Sequence, residues 1–432
     1  MTIIYCVPIH SYELSTMNHQ LTNTRMTKQK YTVLILILGS LTALGPFSID
    51  MYLPGFKAIA KYLHTSTDEV ALSLSSYFIG IAAGQLLYGP LLDRFGRKNP
   101  LYWGLGLYIV SSMGCFFSSS LEMLIALRFF QAVGSCAASV AAMAMVRDLF
   151  PVEDNAKVFS LLILVLGASP MLAPTAGSYI TAAFEWQVIF LVLTIIAVLI
   201  LLSVIFWLPE SYQPDPAYSL KPGPIIGHFI TVLKDAQFVT YAIGGAFAFA
   251  GLFAYVSSSP IVFIEGFKVS EKQFGWIFAG LSVGFIGSSQ LNSVLIKKYK
   301  SEQMIGASLI LMVIISTVFL AGSLNHWFGI GGTIAMIFGV LCCVGICAPN
   351  TSALSLAPFS KNAGSASAIL GASQMAVGAL SSIGISVIKQ HSSLPMAAVM
   401  AASSILALLI VFIGKRFIKN KVEASGEVVA AH

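Results

Sequence analysis

Two ionisable side chains lie inside long apolar runs of this chain, Asp50 and Arg128, and a third, Glu122, stands at the edge of the run that holds Arg128. A charged group in bilayer hydrocarbon costs about 2.5–3.5 kcal/mol on insertion scales, so it faces a bundle interior or water and marks a functional site. Burial favours the neutral form of a carboxyl, and a nearby guanidinium favours the ionised form. A carboxyl poised between the two can load and unload a proton, which makes Asp50 the candidate proton carrier and Arg128 its candidate partner. The plainer readings are that Asp50 anchors a helix end beside Pro54, and that Arg128 belongs to a structural ion pair.

The elements that must position these groups are membrane helices. Of 432 residues 57% are hydrophobic and 10% charged, against roughly 25% charged in soluble chains, so most of this chain cannot face water. A membrane helix needs about 20 apolar residues. Runs of that size cover Tyr31–Pro54, Val70–Leu92, Leu101–Ser119, Leu121–Val146, Val158–Thr181, Trp186–Leu208, Phe238–Phe263, Gln273–Ile296, Met304–Leu324, Trp327–Ala348, Gly364–Ile388 and Leu394–Gly414. The expected fold is therefore an all-α integral membrane protein of twelve transmembrane helices. The expected domains are a cytoplasmic tail (1–30), a six-helix half (31–208), a cytoplasmic loop (209–237), a second six-helix half (238–414) and a cytoplasmic tail (415–432). The 209–237 connection is proline-rich, and 227–235 reads as a short interfacial helix. Met1, Met17 and Met26 are all possible starts.

Asp50 is four residues before Pro54 and Arg128 seven after Leu121. With the first run crossing outward and the fourth inward, both fall near the outer ends of their helices, at similar depth. They are placed to pair or to share a hydrogen-bond network. Cytoplasmic loops favour Lys and Arg. With the N-terminus inside, the outer loops carry only Lys57, Lys61, Lys268, Lys272 and Lys389 of the 24 basic residues. Both termini are then cytoplasmic. The charge of +6 is spread over helix ends rather than gathered in one patch, which argues against nucleic acid. The six cysteines, Cys6, Cys115, Cys136, Cys342, Cys343 and Cys347, have no Cys-x-x-Cys spacing and read as packing residues.

Between the second and third runs stands Gly89-Pro-Leu-Leu-Asp-Arg-Phe-Gly-Arg-Lys98. Gly96 suits a tight turn and Gly89 a close helix approach. The order Gly-x-Leu-x-Asp-Arg-x-Gly-Arg-Lys, with Asp93, Arg94, Gly96, Arg97 and Lys98, resembles the loop signature of the major facilitator superfamily. The second half echoes it weakly as Lys297-Lys298-Tyr299-Lys300 after the eighth run. Four further stretches complete the resemblance: Asp50-Met-Tyr-Leu-Pro54, Arg128-Phe-Phe-Gln131-Ala-Val-Gly134, Gly167-Ala-Ser-Pro170-Met-Leu-Ala-Pro174-Thr-Ala-Gly177, and Gly364-Ser-Ala-Ser-Ala-Ile-Leu-Gly371. Together they resemble the Bcr/CflA (bicyclomycin/chloramphenicol-resistance) branch of the drug:proton antiporters.

That resemblance implies that Arg128 and Gln131 organise the proton site. It implies that Gly167, Pro170, Pro174 and Gly177 form the exporter motif of the fifth helix, where proline kinks and small residues pack. It further implies that Asp93, beside the start of the eleventh helix, and Arg97, beside Asp148, latch the inner side. The family has glycine where this chain has Ala132, which loosens packing there. A second first-helix acid found in some drug antiporters is Thr42 here, so coupling rests on Asp50 and dicationic cargo is disfavoured.

Cargo is expected between the halves. Pro46 and Phe47 share a face with Asp50, and Tyr77, Met171, Phe249, Phe253 and Gln374 are candidates by depth. The expected function is a proton-coupled multidrug exporter of a bacterial inner membrane, working as a monomer in membrane lipid by alternating access. Its partners are protons and small amphipathic drug-like molecules, and it takes no cofactor or metal. The alternative is proton-coupled export of a metabolite, sugar or siderophore. An enzyme is disfavoured because the seven histidines all fall outside the apolar runs.

Overall fold

The computed structural model describes residues 27–215, 220–359, 363–388, 392–422 and 428–430. Twelve long helices follow in order: α1 Lys28–Asp50, α2 Thr67–Phe95, α3 Lys98–Phe116, α4 Leu121–Leu149, α5 Val152–Ala183, α6 Gln187–Phe206, α7 Ala236–Pro260, α8 Glu271–Leu295, α9 Ser301–Leu324, α10 Ile330–Leu356, α11 Ala363–Ile388 and α12 Leu394–Gly414. Among the described residues ten helices, counting α1 with its continuation, are long and apolar enough to cross a membrane. The other two, α3 and α5, stand between them in the same order. The start-site question, Cys6, Lys361 and Lys389 fall outside the described residues.

Polar side chains set the helix starts. Ser66, Ser120, Asp235 and Ser270 each accept a hydrogen bond from a backbone amide of the first turn of α2, α4, α7 and α8, satisfying donors that would otherwise be orphaned in an apolar medium. Small residues let helices touch. A methyl group at Gly80 would lie 2.5 Å from the Phe129 carbonyl oxygen, and one at Gly134 2.6 Å from the Gly104 carbonyl oxygen, so α4 is seated backbone-to-backbone against α2 and α3. Gly89, read as such a contact, has nothing within 4 Å of a notional Cβ; Gly80 and Gly84 make the close approaches instead. Ala132 loosens nothing: it is fully buried with its methyl against Gly80.

Two pairs of helices join the six-helix halves, α2 with α11 and α5 with α8. Hydrogen bonds span both seams: the Ser75 hydroxyl donates to Ser382 Oγ at 2.7 Å and Thr181 Oγ1 to Glu271 Oε2 at 3.0 Å. Both lie toward the end of the bundle opposite the 89–98 loop.

The fifth helix begins at Val152 rather than Val158, and three further boundaries differ from the sequence expectation. The first rod does not stop at Pro54. A 3₁₀ turn, Leu53–Gly55, feeds a helix at Phe56–Tyr62, because proline is tolerated where a helical turn begins. Asp50 therefore lies about 18 Å from the rod's end at 1.5 Å per residue, deeper than first read. The tenth helix runs through Pro349 to Leu356. There Asn350 Nδ2 donates to the Ile346 carbonyl and the Thr351 hydroxyl to that of Cys347. The short helix expected at 227–235 spans Pro222–Leu233. Beyond α12, residues 420–422 and 428–430 form a small antiparallel hairpin, tied to α7 by Gln237, which donates to the Val422 carbonyl at 2.8 Å and accepts from its amide at 2.9 Å.

Candidate functional site

Asp50 is the last residue of α1. It is 5% exposed, and among the described residues its carboxyl has no hydrogen-bond or ion-pair partner. It lines a cavity of about 130 Å³ between the halves, with Pro46 and Ile49 of α1, Phe78 of α2 and Pro170 of α5 on one side. Facing it are residues of α7, α8 and α10, among them Phe253, Tyr255, Phe278 and Ser282. A larger groove, about 380 Å³, lies between α1 and α6. Its walls are apolar except for Ser40 and Ser203, whose hydroxyls donate to carbonyls of their own helices. The smaller cavity, with its lone carboxyl, is therefore where chemistry is possible.

Arg128 and Asp50 do not pair. The guanidinium of Arg128, fully buried in α4, donates to Gln131 Oε1 at 2.6 Å and to the Ser48 carbonyl oxygen at 3.1 Å. It also stacks on aromatic faces, 4.1 Å from the Tyr77 ring centroid and 4.7 Å from that of Tyr52. Gln131 in turn donates to Ser112 Oγ at 2.6 Å, and Ser48 shares a 2.6 Å hydrogen bond with Tyr108. Tyr77 is hydrogen-bonded to Ser135 at 2.8 Å. A cation held by carbonyls, an amide and ring faces is stabilised without a counter-ion. The contact with Ser48 sets Arg128 level with Asp50, but on the other flank of α1's last turn.

The remaining expected residues divide. Pro46 and Phe253 line the Asp50 cavity. Phe249 packs on Phe253 and Phe285, at 5.3 and 6.1 Å between centroids. Tyr77 serves Arg128. Phe47 lines the α1–α6 groove. Met171 is exposed at the surface of α5, and Gln374 is half-buried on α11; neither lines the cavity. Within the α5 motif, Pro170 reaches the cavity and Gly177 meets α1, where a methyl would lie 2.1 Å from the Met51 carbonyl oxygen. Gly167 abuts Ile286 of α8, and Pro174 sits inside the helix. Thr42 is buried and donates to the Leu38 carbonyl.

At the loop, Gly96 adopts φ +81°, a conformation that favours glycine. Arg97 Nε donates to Asp148 Oδ2 at 2.8 Å and its Nη1 to Asp93 Oδ1 at 2.9 Å. Burial lowers the pKa of Arg97, but these two bonds outweigh it and hold the guanidinium above the ordinary arginine value. Glu210, unremarked in the sequence, caps α3: its carboxylate accepts from the amides of Arg97 at 2.9 Å and Lys98 at 3.0 Å. Lys98 Nζ donates to the Leu208 carbonyl, Arg94 to that of Asp215, and Tyr212 lies under Arg97 at 4.3 Å. The segment after α6 is thus strapped over the loop. Asp93 keeps its bond to Arg97; no hydrogen bond joins it to α11 among the described residues.

Residues 38–385 match the family model described as Major Facilitator Superfamily. The chain belongs to this superfamily. It is 33% identical to the "Bicyclomycin resistance protein homolog" of Haemophilus influenzae over 92% of this chain and 100% of that one. It is 28% identical to the "Multidrug resistance protein MdtL" of Shigella flexneri over 91% and 96%. Solved structures share the fold: a D-xylose–proton symporter with a TM-score of 0.70 at 15% identity, covering 92% of this chain and 100% of that one, and a POT family transporter with 0.71 at 14%, covering 89% and 95%. The chain is a multi-pass membrane transporter of this superfamily, and its drug-resistance relatives agree with the branch that the sequence motifs indicate.

Proposed function

We propose that this transporter is a proton-coupled exporter of small amphipathic drug-like molecules, working by alternating access as a monomer in a bacterial inner membrane, with the 89–98 loop and both termini cytoplasmic. The observation that carries the proposal is Asp50: a deeply buried carboxyl, free of partners among the described residues and facing a cavity to which both halves contribute. A proton reaching Asp50 from outside removes a charge that the cavity cannot otherwise neutralise, and this drives the halves to exchange openings as cargo leaves. Arg128 and Gln131, braced against the Ser48 carbonyl, hold α1's last turn so that the carboxyl stays in the cavity. Arg97, with Asp148 and Asp93, latches the loop end. Cargo class is supported by the drug-resistance names of the relatives.

Everted membrane vesicles loaded with an imposed proton gradient should accumulate chloramphenicol-like or bicyclomycin-like compounds, and an uncoupler should abolish the accumulation. Accumulation indifferent to uncoupler would count against proton coupling. Transport of a metabolite or sugar with no drug accumulation would overturn the cargo.

A further inference from the structure

The connection between the halves holds a helix too short to cross a bilayer. Pro222 opens it, where a missing amide costs no hydrogen bond. It closes at Leu233, and α7 begins three residues later at Ala236. That short link fixes its level at the starts of α7 and α11, the end of the bundle that carries the 89–98 loop. The helix rests on those two spans. Phe229 and Val232 form its packed face, in one apolar cluster with Phe238 of α7 and with Ala366, Ile369 and Leu370 of α11. Ile226, Ile230 and Leu233 stand at i, i+4 and i+7 and so make a second ridge, about 100° round from the first. They are 52%, 46% and 48% exposed. Gly227, His228, Thr231 and Lys234 take the rest of the exposed arc.

The helix therefore has one apolar side, half of it packed on protein and half bare, and one polar side. Leaving three large aliphatic side chains in water is unfavourable in proportion to their area. An apolar medium is at hand. In a chain that crosses the bilayer, the starts of α7 and α11 lie where hydrocarbon meets headgroups. A two-faced helix at that level lies in the plane of the surface with its apolar side in the acyl chains. Charge selects the lipid. Lys221 and Lys234 stand at the two ends, both exposed, and the sequence between them holds no acid. Asp235 is turned to α7, where its carboxylate accepts from the Phe238 amide at 2.7 Å. Lysines at headgroup level favour anionic phospholipid. We infer that this helix is a lipid-binding anchor: Ile226, Ile230 and Leu233 enter the acyl chains of the leaflet beside the 89–98 loop, and Lys221 and Lys234 hold anionic phospholipid headgroups. Since α11 makes one of the two seams between the halves, the anchor ties that seam to the membrane surface. It is the same anchor whichever cargo the transporter moves.

Spin labels on Ile226→Cys, Ile230→Cys and Thr231→Cys, in the full-length transporter in lipid nanodiscs, read the immersion of each face. All three positions are exposed, so the packed face is left intact and thermal melting should match the native chain. Described native cysteines are buried or half-buried, and the signal of the unsubstituted chain, labelled alike, is subtracted. At 226 and 230 the nitroxide should collide more often with oxygen, which concentrates in hydrocarbon, than with a water-soluble nickel chelate. At 231 the order should reverse. Adding phosphatidylglycerol to phosphatidylcholine discs should raise the oxygen-to-nickel ratio at 230. Lys221→Gln combined with Lys234→Gln should cancel that rise, each lysine carrying about a fivefold preference for an anionic surface. Aqueous behaviour at 226 and 230 in both kinds of disc would overturn the inference. Shielding from both colliders would overturn it too, because protein would then cover the ridge. Immersion indifferent to phosphatidylglycerol would overturn the assignment of the two lysines to anionic headgroups.

Discussion

The two halves share one architecture and divide the polar chemistry unequally. All the buried ionisable side chains among the described residues other than tyrosine and cysteine, namely Asp50, Asp68, Arg97 and Arg128, lie in the N-terminal half. The corresponding interior of the C-terminal half is neutral: Asn350 donates to Asn292 Oδ1 at 2.6 Å, and serine hydroxyls bond to carbonyls of their own helices. The loops differ in the same sense. Between α2 and α3, Arg97, Asp93, Asp148 and Glu210 form one bonded cluster, whereas Lys297, Lys298 and Lys300 between α8 and α9 are exposed. Since a buried charge is costly in lipid, one half concentrates that cost while the other sets Phe253, Tyr255 and Phe278 in the wall of the Asp50 cavity. In the proposed mechanism the charged half handles the proton and the neutral half shapes the cargo site.

The sharpest way to break this division is Asp50→Asn. It should reduce gradient-driven accumulation in everted vesicles to the uncoupled background while leaving the protein folded, because a neutral amide removes the cost of the buried carboxylate. Unimpaired pumping would mean that the proton is handled elsewhere and that the asymmetry is structural. Next comes Arg128→Lys, which keeps the charge but loses the two-pronged donation to Gln131 and Ser48 and the stacking on Tyr77. Thermal unfolding should show a loss of about 2 kcal/mol, with transport impaired. A variant as stable and active as the native chain would show that positive charge alone matters there.

Much of this half was legible before any fold was known. Asp50 and Arg128 stand out because a charge within an apolar run is rare and expensive, and Gln131 and the 89–98 loop because their residue types match the family's motifs in order. What stayed hidden are ordinary residues whose role depends on their spatial neighbours. Glu210 reads as one more acid at a helix end until α6 delivers it to the amides of Arg97 and Lys98. Tyr255 reads as an aromatic in a membrane helix until α7 brings it to the cavity wall. Asp50 and Arg128 were placed by depth to pair or to share a hydrogen-bond network, and equal depth does not fix azimuth: Arg128 reaches the Ser48 carbonyl, two residues before Asp50, instead of its carboxyl. The tenth run, ended at Ala348, fell short for a related reason, since packing and side-chain bonds sustain α10 past Pro349 to Leu356.

The loop cluster gives a smaller effect. Among the described residues, Arg97→Ala leaves Asp148 with only the Ser211 hydroxyl, which donates to it at 3.0 Å. The expected cost is about 1–2 kcal/mol, with the Asp93 contact discounted because that side chain is 41% exposed. The sign of any pH dependence is fixed. A cation whose pKa is raised on folding contributes fully below its unfolded value and loses that contribution only when pH rises past the folded one. Arginine's range lies far above neutrality, so the stability gap between Arg97→Ala and the native chain should stay constant between about pH 6 and 9 in melting curves. A gap that closes within that window would place a different titrating group in the cluster.

The smallest effect belongs to the seam between the halves. Thr181 of α5 donates to Glu271 of α8 near the end away from the loop, so it stabilises only the arrangement in which that end is closed. Valine has nearly the same shape and no donor. Thr181→Val should therefore leave folding almost untouched and withdraw about 0.5–1 kcal/mol from one conformation, a shift of about two- to fivefold in the ratio of the two states. Distance distributions between spin labels on the ends of α5 and α8 would read that ratio directly. A shift of this size with unchanged thermal stability would mean the seam tunes which face is open, separately from the Asp50 chemistry. An unchanged ratio would leave the choice of face to the helix packing and the buried carboxyl, making the N-terminal half responsible for the switch as well as the proton.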